Sequence, residues 1–127
     1  MEKIVKNPKK ILVVDDDRNV LFLMSELLAR ENYEIIQASD GLAALKLVRQ
    51  LLPELAVLDV MMPGLDGFEL CRRIKNDPLT SGIKVIMVTA KTLGKDIETG
   101  LSAGADHYIT KPFKISELST KIKELIG

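Results

Sequence analysis

Ile11-Leu12-Val13-Val14-Asp15-Asp16-Asp17 runs four apolar, mostly β-branched residues straight into three carboxylates. The arrangement recurs at Leu55-Ala56-Val57-Leu58-Asp59, and a third apolar run, Lys84–Val88, ends at Thr89. Apolar runs of this length without polar alternation are the pattern of strands covered on both faces. Two further runs complete the set. Tyr33–Gln37 carries Glu34 and Gln37, which marks it as an edge, and His107–Ile109 leads into Thr110-Lys111-Pro112.

Segments of helical period separate the runs. Val20, Met24, Leu27 and Leu28 form one stripe, Leu42, Leu45, Val48 and Leu52 a second, and Phe68, Cys71 and Ile74 a short third. Leu93, Ile97 and Leu101 make a thin fourth, while Ile115, Leu118, Ile122 and Leu125 step by helical spacing along a clean fifth face. Ser39-Asp40-Gly41 offers capping side chains, Asn76-Asp77-Pro78 reads as a turn, and Gly104 and Gly127 sit where helices end. Five strand–helix alternations predict an α/β domain with a parallel sheet and helices on both faces.

With 127 residues the chain is one domain, and 46% apolar with 28% charged residues is ordinary for a globular protein. Lys+Arg and Asp+Glu both count 18, so neither a nucleic-acid-coating nor a membrane-surface role is expected of a chain without basic excess. Cys71 is the single cysteine and can form no internal disulfide. No apolar run approaches the roughly 18 residues of a membrane span, and Met1–Lys10 has no signal-peptide core. A cytoplasmic domain is the expectation. Lys3, Lys6, Lys9 and Lys10 make the start basic, so residues 1–9 read as a solvated lead-in and 10–127 as the folded unit.

In an open parallel sheet, ligands bind beyond the carboxyl ends of the strands. Here those ends carry Asp15, Asp16 and Asp17, then Asp59, then Thr89, then Lys111. Carboxylates gathered at one edge repel, and without a counter-charge some would hold a proton. An all-oxygen set suits Mg²⁺, with Mn²⁺ as an alternative, and Mg²⁺ favours a few carboxylates together with waters or phosphate oxygens. Bland readings stand beside this one. Asp15–Asp17 could simply cap a helix, and Asp59 could simply pair with Lys111.

The motifs Val13-Val14-Asp15-Asp16-Asp17, Leu58-Asp59-Val60-Met61-Met62-Pro63-Gly64-Leu65-Asp66-Gly67, Val88-Thr89-Ala90 and Lys111-Pro112-Phe113, in that order, resemble the receiver domain of two-component response regulators. The resemblance spans about Lys10 to Ile126. It implies the flavodoxin-like, three-layer (βα)5 fold with strand order 2-1-3-4-5. It also implies that Asp59 accepts the phosphoryl group and that Asp15, Asp16, Asp59 and the Met61 carbonyl hold the metal. Thr89 and Lys111 would contact phosphoryl oxygens, and Thr89 and Tyr108 would form the switch. The Lys111–Pro112 bond is implied to be cis.

A sensor histidine kinase or phosphotransfer protein is the implied donor, since the single histidine, His107, reads as a surface or packing residue. The surface of the predicted fourth helix, fifth strand and fifth helix would change and meet a downstream protein or a fused output domain. The domain would be no enzyme beyond its own phosphorylation and dephosphorylation. No output domain follows Leu125-Ile126-Gly127, which fits either a protein acting alone or a piece of a longer regulator.

Three rivals fit less well. A flavin-binding domain needs a phosphate cradle after the first strand, where three aspartates would repel the phosphate. A magnesium phosphatase of the Asp-x-Asp kind needs an acid where Met61 stands. A degenerate receiver would have lost one of the acidic, Thr or Lys positions, and all are present. Met61 and Lys91 are the residues expected to flank the path of attacking water, and an apolar Met61 predicts slow loss of the phosphoryl group. Cys71 and the Met61-Met62 pair read as packing.

Overall fold

The computed structural model describes residues 8–90, 98–99 and 102–127. Five parallel strands, β1 (Lys10–Val14), β2 (Glu34–Ala38), β3 (Leu55–Asp59), β4 (Lys84–Thr89) and β5 (His107–Thr110), lie in the order β2-β1-β3-β4-β5. They are joined by α1 (Arg18–Ala29), α2 (Gly41–Leu51) and α3 (Gly67–Asn76), and β5 leads to a C-terminal helix, Ile115–Ile126. The predicted fourth helix falls mostly outside the described residues.

Side chains alternate across each strand, so every central strand feeds two cores. Leu12, Val14, Ala56, Leu58, Val85 and Met87 point to one face and pack with α2 and α3. Ile11, Val13, Leu55, Val57, Ile86 and Val88 point to the other and pack with α1 and the C-terminal helix. Three layers result. Central β1, β3 and β4 are almost wholly buried, whereas edge strand β2 keeps Glu34 and Gln37 in solvent, as its polar composition predicts.

Two helical faces differ from the predicted stripes. The core side of α1 is Leu21, Met24, Ser25 and Leu28, with Val20 and Leu27 only half-buried. Leu21 belongs to this face while its neighbours Phe22 and Leu23 are exposed, so counting apolar residues misplaces the seam by one position. In α2, Ala44, Leu45 and Val48 are buried, but Leu42 and Leu52 are exposed. Leu42 stands in the first turn of the helix, on its exposed side. Leu52 is the left-handed C-cap with φ 47°, which swings its side chain off the helical stripe.

Local signals fix the ends. Asp17, Asp40 and Asp66 each cap a helix by accepting a backbone N–H in its first turn. Gly104, with φ 98°, takes the left-handed turn ahead of β5. Gly41 lets α2 start against the β3–α3 loop, since a Cβ there would lie 2.3 Å from the Leu65 carbonyl oxygen.

The inward register of α1 is testable by denaturation. Leu28→Ala, at a fully buried position, should cost about 2–5 kcal/mol. Leu23→Ala, at a position 59% exposed, should stay within about 0.5 kcal/mol. Equal costs would contradict the register.

Candidate functional site

Strand order places four chemically distinct ends side by side. Asp15 follows β1, Asp59 ends β3, Thr89 ends β4, and Lys111 follows β5. The ladder continues past the strands. The Asp15 N–H donates to Ala38 O at 3.2 Å, Val60 N–H to Val88 O at 3.1 Å, and Lys111 N–H to Thr89 O at 2.7 Å. The side chains at these ends therefore hang from hydrogen-bonded backbone rather than from loose loops. The Lys111–Pro112 bond is cis, as the resemblance implies.

Asp15 and Asp59 are buried, and Asp16 is exposed at the mouth. One ligand oxygen from each of the three lies within 4.8 Å of the others, an arrangement that could hold a metal ion. Lys111 Nζ crosses the end of β4 to reach Asp15 Oδ2 at 3.3 Å and Asp59 Oδ1 at 3.7 Å. The helix-capping and ion-pair readings thus both hold in part. Asp17 does cap α1, accepting from the N–H groups of Asn19 and Val20 at 2.9 and 3.3 Å, while Asp15 and Asp16 turn toward Asp59. Lys111 does pair with Asp59, but it is shared with Asp15.

Among the described residues, one ammonium faces three carboxylates. Burial and the facing charge of Asp15 push the Asp59 carboxyl up to about 6, against the opposing pull of Lys111 and the Met61 N–H. The Met61 N–H donates to Asp59 Oδ1 at 3.4 Å, so the backbone of residue 61 lies at the site although its side chain is 55% exposed. Thr89 is fully buried beside this cluster at the end of β4. Tyr108 is half-buried on β5 and packs against the α2/α3 core. His107 is also half-buried, and burial and the nearby Lys121 ammonium hold its imidazole below the usual histidine range. Cys71 is buried and its thiol is pushed up to about 11 by burial, consistent with packing.

Gly67 is a site-shaping residue whose role the sequence analysis did not single out. A Cβ on it would lie 2.4 Å from the Asp59 carbonyl oxygen and 2.9 Å from Val60 Cα. Only glycine lets the start of α3 press against the end of β3. The available signal was Asp66-Gly67, a capping residue followed by a glycine at the first helical position.

Residues 11–123 match the family model described as the response regulator receiver domain. The chain belongs to the response-regulator receiver family. It is 42% identical over 115 residues to the DNA-binding response regulator MtrA of Mycolicibacterium paratuberculosis, a match covering 91% of this chain and 50% of that protein. It is 43% identical over 118 residues to the alkaline phosphatase synthesis transcriptional regulatory protein PhoP of Bacillus subtilis, covering 93% and 48%. The chain thus spans about half the length of the curated relatives it matches. A response regulator structure from Chloroflexus aurantiacus superposes with a TM-score of 0.89 at 35% identity, covering 94% of this chain and 98% of the other. A CheY-like receiver domain from Methanospirillum hungatei gives 0.87 at 36%, covering 93% of each. The receiver fold predicted from the motifs is therefore the fold observed. Among the described residues no helix is long and apolar enough to cross a membrane.

The raised Asp59 carboxyl has a consequence for stability in metal-free solution. Below about pH 4 the group is protonated in both folded and unfolded chains. Between about 4 and 6 the unfolded chain releases the proton first, so stability falls as pH rises and the loss is complete above about 6. Asp59→Asn should therefore be more stable than wild type in chelator at about pH 7.5, by on the order of 2 kcal/mol. That advantage should vanish toward pH 4. Urea denaturation across this range measures it, and a pH-independent difference would contradict the origin assigned here.

Proposed function

We propose that this receiver is a phosphoryl-accepting switch whose acceptor is Asp59. The observation that carries the reading is the buried carboxylate at the end of a central strand, set against Asp15, Asp16 and the Lys111 ammonium. A stand-alone structural carboxylate gains nothing from two acidic neighbours. A phosphoryl acceptor gains a place for the cation that the incoming group requires.

Asp15, Asp16 and Asp59, with the Met61 carbonyl, are the residues that would hold Mg²⁺, or Mn²⁺ in its place. Bound there, the ion would supply charge neutralisation for the phosphoryl oxygens. In the transfer, an Asp59 carboxylate oxygen attacks phosphorus in line and forms the new P–O bond. The P–N bond of a phosphohistidine breaks, and its electron pair stays on the imidazole nitrogen. The donor is a sensor histidine kinase or a histidine-bearing phosphotransfer protein. Lys111 contacts one phosphoryl oxygen as a cation, and the Thr89 hydroxyl donates to another. Turnover is confined to the domain's own phosphorylation and dephosphorylation.

Thr89 and Tyr108 form the switch in this reading. Thr89 shifts toward the phosphoryl group, and Tyr108, one strand away on β5, turns into the space left. The responding surface joins the predicted fourth helix, β5 and the C-terminal helix. An open groove lined by His107, Phe113, Lys114, Glu117, Thr120 and Lys121 lies on it. The recipient is a downstream protein partner or a fused output domain, and the balanced charge supports no direct role for this domain on nucleic acid or membrane. Residues 10–127 form the receiver unit after a short basic tail at 1–9, and the setting is cytoplasmic.

Acetyl phosphate with Mg²⁺ should add the mass of one phosphoryl group to wild type and none to Asp59→Ala, read by intact-protein mass spectrometry. Equal labelling of both proteins would overturn the assignment of Asp59. Met61→Asn, which places a water-orienting amide beside Asp59, should shorten the lifetime of the label several-fold. An unchanged decay rate would contradict the role given to the apolar side chain.

A further inference from the structure

We propose that Asp17, the third acid of the cluster, is a positioning residue for the metal site: its capping of α1 fixes the aim of the Asp15 carboxylate. The inference rests on the cation-binding reading above and adds a residue to it. Two turns are nested at the β1–α1 junction. The Asp17 N–H donates to Asp15 Oδ1 at 2.9 Å, closing a side-chain turn over Asp16. The Asp17 Oδ1 in turn accepts from the N–H groups of Asn19 and Val20, closing the next turn onto the first coil of α1. Asp17 has extended backbone, φ −81° and ψ 107°, as an N-cap requires.

The backbone N–H that holds Asp15 thus belongs to the residue whose side chain locks the helix start. Asp15 Oδ1 is set by that N–H, and Oδ2 is set by Lys111 Nζ at 3.3 Å. A carboxylate held at both oxygens has lost its rotational freedom before any cation arrives. Loss of groups that orient ligands in this way typically costs about 10–100-fold in metal affinity. If Asp17 loses its side-chain acceptor, the α1 start frays, the Asp17 N–H leaves Asp15, and one of the two restraints is gone. Asp16 lies between the two held residues, so its direction depends on the same turn.

Mn²⁺ titration followed by paramagnetic broadening of amide NMR signals tests the proposal in the absence of phosphoryl donor. Asp17→Ala should weaken Mn²⁺ binding about tenfold. Asp17→Asn, which removes the charge but keeps the capping oxygen, should bind within about twofold of wild type, since Asn caps as well as Asp. A carboxyl ¹³C shift of Asp15 that changes in the alanine variant but not in the asparagine variant, before metal is added, completes the expected result. Undiminished binding by Asp17→Ala overturns the proposal, and so does equal weakening in both variants, which would make the effect one of charge. Failure of wild type to bind Mn²⁺ at all would instead overturn the cation-binding reading on which the proposal rests.

Discussion

Three carboxylates, those of Asp15, Asp16 and Asp59, present oxygens within 4.8 Å of one another at the rim of an apolar sheet, with a single ammonium among the described residues, that of Lys111, reaching two of them. Unit charges at such separations near a protein surface repel by about 4 kcal/mol. Folding the chain creates this conflict, because the registers that bury Ile11–Val14 and Leu55–Leu58 also bring Asp15 and Asp59 to adjacent strand ends. The hydrophobic gain of two fully covered strands drives the acids together. The conflict remains at the rim, and a cation bound there would relieve it.

Rigid surroundings make that conflict usable. The rim is held from both sides of the sheet: Asp17 ties β1 to α1, and Gly67 seats α3 against the carbonyl of Asp59. Farther off, Asp106 braces the approach to β5. Its Oδ2 accepts from the Val85 N–H at 2.8 Å and from Lys75 Nζ at 2.9 Å, and Lys75 also donates to the Ile83 carbonyl. Burial alone would raise the Asp106 carboxyl, but these hydrogen bonds and the lysine charge win and lower it. The base of β5 is therefore fixed to α3 and β4, while Tyr108 and Lys111 lie beyond that anchor toward the site.

The fold was legible because its central strands are unbroken apolar runs that end in polar residues of one chemical kind. Leu55–Leu58 is short, apolar and without polar alternation, as a strand buried on both sides is, and Asp59 after it stands at the rim. The helices were less legible where apolar residues exceed what the core takes. Phe22 and Leu23 sit beside Leu21 in the sequence, and only packing decides which faces inward. Leu52 left its stripe because the helix ends there in a left-handed residue, a backbone event that periodicity does not carry. In the site, residue types announced Asp15, Asp16, Asp59, Thr89 and Lys111. The contribution of Gly67 is the absence of a side chain, and that of Asp17 is split between its carboxylate and its own N–H, so neither has a distinctive chemical signature.

The central claim is that burial and the acidic neighbours oppose ionisation of Asp59, and that a cation bound at the cluster would reverse this. Titration of the Asp59 carboxyl carbon by ¹³C NMR, with chelator and then with saturating Mg²⁺, tests it most directly. The expected result is a midpoint near 6 without metal and a fall below the ordinary aspartate value of about 3.9 with it. An ordinary midpoint in chelator that does not move when Mg²⁺ is added would contradict the account.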